Sequence, residues 1–197
     1  MSPFRRELVR WARTVHLYVT LSGLALVLFF SITGFMLNHE DWFVPPDSFT
    51  RTIEGKVPTE WLAERPDKLA VVERLRRDFG AVGLVDSENF DTDDDPIRVV
   101  FKRPGTEVEA IVQRENGATE VTIRTRGFSA ILLDLHRGKS TGRVWSLIID
   151  VTCLALVVLA ATGLILWSSL RGRGQHGLLI LVGGTALSIL AVLLYAL

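Results

Sequence analysis

Three long stretches of this chain carry almost no charge. Between Val15 and Leu37 only His16 can take up a charge near neutral pH, between Val144 and Trp167 only Asp150 does, and between Gly177 and Leu197 nothing does. Crossing the hydrocarbon core of a bilayer takes about 20 apolar residues of helix, and a soluble domain seldom contains runs of this length. The chain therefore reads as an integral membrane protein with three transmembrane helices, at 15–37, 144–167 and 177–197. Basic residues precede the first run, as they do in a signal peptide. That run is too long for a signal sequence, however, and "TGFMLNHEDWF" holds no small-x-small cleavage site.

Orientation follows from basic residues beside short loops, which favour the cytoplasm. Arg5, Arg6, Arg10 and Arg13 lie before the first helix, and Arg171 and Arg173 lie in the link at 168–176. Both segments are expected inside, with 1–14 as a basic N-terminus, which sends residues 38–143 outside. Arg137, Lys139 and Arg143 adjoin the second helix on that outer side and call for an explanation. Trp11, Trp42, Trp145 and Trp167 flank the first two helices, where indoles favour the headgroup boundary. In the third helix Gly177, Gly184 and Ala191 recur at seven-residue spacing beside Gly183 and Ser188, a stripe that suits close packing within the chain or in a homodimer or larger complex. The single Cys153 has no intrachain disulfide partner and reads as a packing residue.

The outer segment reads as one small α+β domain at about 45–128. "PDKLAVVERLRRDFG" has Leu69, Val72, Leu75 and Phe79 near helical spacing, a proline at its start and a glycine at its stop. Strand-like pieces follow, "AVGLV", "PIRVVFKR", "TEVEAIVQR" and "ATEVTIRTR", parted by turn-forming residues. One helix and an antiparallel meander of about four strands is expected. The turn "DTDDD" at Asp91–Asp95 lacks the glycine and trailing glutamate of a calcium loop and reads as solvated. With zero formal net charge, the partner implied is the lipid bilayer, not nucleic acid.

All four histidines, His16, His39, His136 and His176, fall at an expected membrane boundary. A zinc-protease reading of "HEDWF" fails because Phe43 stands where a second histidine is required. No serine elbow or phosphate loop points to a hydrolase. His16 and His39 are 23 residues apart on one helix, about 35 Å at a rise of about 1.5 Å per residue, and cannot share one metal. The topology leaves two facing pairs, His39 with His136 outside and His16 with His176 inside. Such pairs suit bis-imidazole ligation of haem b between helices, with Arg137, Lys139 and Arg143 placed to meet its propionates or lipid phosphates. An internal echo accompanies them: "LALVLFFSITGFML" and "LALVVLAATGLIL" carry the Thr-Gly pairs Thr33-Gly34 and Thr162-Gly163. A glycine there gives a flat ligand, or a neighbouring helix, access to backbone.

The motifs "RTVHLYVTLSGLALVLFFSITGFMLNHEDWF" and "LLDLHRGKSTGRVWSLIIDVTCLALVVLAATGLILW", with a helix and meander between them, resemble the short form of the bacterial PepSY-associated transmembrane proteins over nearly the whole chain. The resemblance implies an inner-membrane protein with a cytoplasmic N-terminus and a periplasmic PepSY-like domain. Larger relatives include ferric-siderophore reductases with haem b on transmembrane histidines. By that likeness His39 and His136, and with less weight His16 and His176, are ligand candidates for electron transfer toward ferric iron or a ferric siderophore. No dinucleotide or flavin motif is present, so electrons are expected from quinol or a redox partner protein. PepSY modules also resemble protease propeptides, which implies a different role: a cofactor-free membrane adaptor whose outer domain binds a partner protein.

Overall fold

A computed structural model describes residues 2–45, 49–62, 66–86, 90, 96–170 and 174–195. The acidic turn Asp91–Asp95 and the link residues Arg171 and Arg173 lie outside the described residues. In chain order the elements are α1 (Pro3–Asn38), α2 (Glu40–Phe43), β1 (Phe49–Lys56), a 3₁₀ turn (Thr59–Leu62), α3 (Lys68–Phe79), β2 (Leu84–Val85), β3 (Ile97–Arg103), β4 (Thr106–Val112), β5 (Ala118–Thr125), α4 (Gly127–Arg137), α5 (Gly142–Ser168) and α6 (Gly174–Tyr195). Among the described residues three helices are long and apolar enough to cross a membrane: Pro3–Asn38, Gly142–Ser168 and His176–Tyr195. Only a helix or a closed barrel satisfies every backbone amide inside lipid, which is why such runs fold this way.

The chain divides into two compact units, residues 28–149 and residues 1–27 with 150–197. In the first, five antiparallel strands run in the order β1-β5-β4-β3-β2. The β3–β4 register pairs Phe101 with Val108 and Val99 with Ala110. Alternation along β4 buries Thr106, Val108, Ala110 and Val112 on one face, as expected of a sheet covered on a single side. That face packs against Val71, Val72, Leu75 and Phe79 of α3. Asp67 caps α3 by accepting from the Ala70 amide at 3.0 Å, and Gly80 ends it at φ 67, a backbone setting open to glycine. The opposite face is charged: Arg98 pairs with Glu109, and Arg124 reaches Glu109 at 3.2 Å and Glu107 at 3.7 Å.

Besides the single turns α2 and Thr59–Leu62, two longer elements exceed the expected helix and four strands. Strand β1 pairs with β5 from Phe49↔Thr125 to Lys56↔Ala118. Helix α4 is tied to the β3–β4 turn by Asp134, a buried carboxylate that accepts from the Gly105 amide at 2.8 Å and from Arg126 at 3.0 Å. The Trp145 indole then donates to the Leu135 carbonyl at 2.7 Å, which fixes the end of α4 to the start of α5.

In the second unit, α1 meets α5 through polar contacts at helix ends and at one interior step. Arg5 donates to the Ser168 carbonyl at 2.7 Å. Gly177 of α6 lies against the Trp167 indole, where any Cβ would collide. Its companions Gly183 and Gly184 face open space. Cys153, expected as a packing residue, is instead exposed on α5. A thiol is small and apolar enough for the lipid-facing side of a span.

Candidate functional site

The two Thr-Gly steps of the sequence echo each receive a histidine. In the unit of residues 28–149, His136 projects from the last turn of α4 onto Thr33-Gly34 of α1. Its Nδ1 lies 2.7 Å from the Thr33 hydroxyl. A Cβ added at Gly34 would come within 3.2 Å of His136 Cε1. The ring meets Phe30 edge-on at 5.3 Å between centroids. In the other unit, His16 of α1 meets Thr162-Gly163 of α5. Its Nδ1 is 2.8 Å from the Thr162 hydroxyl, and a Cβ at Gly163 would sit 3.7 Å from His16 Cε1.

Each threonine hydroxyl has a second partner besides the imidazole. Thr33 donates its single proton to the Phe29 carbonyl one turn back, at 2.6 Å. Thr162 does the same to Val158 at 2.7 Å. With that proton on the carbonyl, each hydroxyl can only accept from its imidazole, and Nδ1 would be the protonated nitrogen. In that tautomer the Nε2 lone pair is left for another partner. This hydrogen bond to Nδ1 is the outer support that ligating histidines use to fix tautomer and ring plane. Thr33 and Thr162 are themselves buried, so water does not compete for the bond.

The other two histidines sit differently. His39 occupies the position before α2 and stacks on Trp42, with centroids 4.1 Å apart and planes at 16°; Phe35 packs beside it at 4.7 Å. Among the described residues no hydrogen bond or ring contact joins it to His136. His176 begins the apolar part of α6 and is exposed. Of the cationic cluster, Arg137 bridges to Glu40 at 2.5 Å and approaches Asp134 at 3.9 Å. Arg143 lies exposed in the first turn of α5. Lys139 lines a cleft beside the sheet.

Both histidine–threonine constellations belong to the two motifs that flank the sheet domain, and a family model described as PepSY_TM-like matches residues 10–196. The chain belongs to the PepSY_TM-like family. Its membrane location, its apolar spans and its small α+β domain agree with that membership. No curated protein and no solved structure matches this PepSY_TM-like chain.

Proposed function

We propose that this membrane protein holds haem b on His136 and His16 and passes electrons across the membrane. The observation that supports it is the repeated Nδ1-to-threonine bond, 2.7 Å at Thr33 and 2.8 Å at Thr162, which leaves Nε2 of each ring as a lone-pair donor. A second feature supports the reading: each histidine ring lies against a glycine, Gly34 or Gly163, that leaves room for it beside the helix backbone. His39 and His176 would be the further histidines to hold the group, and Arg143 a cation to meet its carboxylates. When bound, the haem would supply a one-electron iron couple. The chain's own contribution is to hold the Nδ1 protons, orient the rings and surround them with apolar helix.

In this reading the protein lies in a bacterial inner membrane with its N-terminus in the cytoplasm and its sheet domain in the periplasm. Electrons come from quinol or a redox partner protein and leave toward ferric iron or a ferric siderophore. The test is an absorption spectrum of full-length protein purified in detergent with haem supplied during expression. A Soret band that shifts on reduction is expected. A preparation without one would overturn the haem reading and favour the cofactor-free adaptor whose outer domain binds a partner protein.

A further inference from the structure

Away from the histidines, one cleft of the residue 28–149 unit gathers cations without matching anions. Lys102, Arg103, Arg124, Arg126 and Lys139 line it, against the carboxylates Glu107 and Asp134; its volume is about 280 Å³. Both carboxylates are already engaged, Glu107 with Arg124 and Asp134 with Arg126 and the Gly105 amide. Lys102 is held by Asp86 at 2.7 Å. Arg103 and Lys139 form no ion pair among the described residues. The loop that brings Lys139 here is tightly set: Gly138, Ser140 and Gly142 all have positive φ, and Ser140 is the one non-glycine in that region among the described residues. A non-glycine held there costs energy that the surrounding structure must offset, and such settings gather at binding sites.

We propose that this cleft binds a phosphate group. Arg103 and Lys139, without an ion pair among the described residues, beside two arginines whose carboxylates leave donors to spare, match a phosphate, mono- or diester, through its charge and its several acceptor oxygens. A cleft of this size holds a tetrahedral anion together with several waters of about 30 Å³ each. Lys139 and Ser140 lie within three residues of the start of α5, which is long and apolar enough to cross a membrane. The phosphate can thus belong to an anionic lipid headgroup or to a small soluble phosphate; the recognition chemistry is the same.

Full-length protein in neutral detergent, titrated with short-chain phosphatidylglycerol, inorganic phosphate or short-chain phosphatidylcholine, separates these sources by native mass spectrometry and thermal melting. Binding of phosphatidylglycerol alone assigns a lipid headgroup; binding of inorganic phosphate assigns a soluble ligand. In either arm, Arg103→Gln with Lys139→Gln should weaken binding by about tenfold or more, since both are charged hydrogen-bond donors. Arg103→Lys with Lys139→Arg should retain most of it, and Glu107→Gln, which removes a negative charge from the rim, should tighten it. Equal binding of phosphatidylglycerol and phosphatidylcholine with no response to phosphate overturns the proposal. So does equal affinity of the wild type and the double glutamine variant, with the circular dichroism of both unchanged.

Discussion

The two histidine constellations are assembled from the same three residue types, but the elements that deliver the histidines differ. His16 stands within a 36-residue helix whose own hydrogen bonds fix its position. His136 stands in an 11-residue helix, near its C-terminal end, and depends on Asp134 and Trp145 to hold that helix in place. The fit is also tighter at His136, with 3.2 Å from a Gly34 Cβ against 3.7 Å at Gly163. One histidine is set by a membrane span, the other by a folded domain, so perturbing the domain should separate them.

The largest effect is expected from the histidines themselves. If each constellation holds its own centre, His136→Ala and His16→Ala should each remove about half of the bound haem, and the losses should add because independent sites do not couple. Total loss from either single variant would break the comparison by showing one shared centre. Next, Asp134→Ala should leave the Gly105 amide and Arg126 without their buried acceptor and cost about 2–3 kcal/mol of domain stability. Redox titration should then show the His136 centre disturbed and the His16 centre intact.

Thr33→Val and Thr162→Val keep the shape and remove the acceptor for Nδ1–H. Loss of such an outer partner typically costs roughly 10–100-fold in metal affinity. Serine at either position should restore the affinity, which a purely packing role would not require. The smallest expected effect differs in sign between the two sites. Alanine at Gly163 meets ordinary contact distance, so helix propensity should stabilise by about 0.5–1 kcal/mol. Alanine at Gly34 meets His136 at 3.2 Å and should be neutral or destabilising by about 1 kcal/mol. Thermal melting of the two variants, side by side, reads the difference.

Much of this fold was written plainly in the sequence. The three spans follow from missing charge, and α3 follows from apolar spacing with Asp67 and Gly80 at its ends. Strand β1 was not legible, because most of "FTRTIEGK" stays exposed and it is held by pairing with β5 and not by burial. Periodicity reports burial, so an edge strand with little of it gives no signal. Helix α4 escaped for another reason, since "GFSAILLDLHR" starts after Arg126 with no capping side chain to mark it. The candidate site divides likewise. His16, His136 and both Thr-Gly steps stand out by type and echo, whereas the cross-pairing of each histidine with the other motif's Thr-Gly step needs the helices in place. The cleft gathers Lys102 and Arg103 of β3, Arg124 and Arg126 around β5, and Lys139 after α4, residues that no local pattern connects.

The cross-pairing also bears on how such a chain can be inherited. His16 sits on the first span and finds its threonine on the second, while the second motif supplies His136 to a threonine on the first. A recombination event between the two motifs would hand each daughter gene a histidine without its acceptor and an acceptor without its histidine. The two halves must therefore travel as a single genetic unit, or re-form both constellations by associating as separate chains, each lending the other what it lacks.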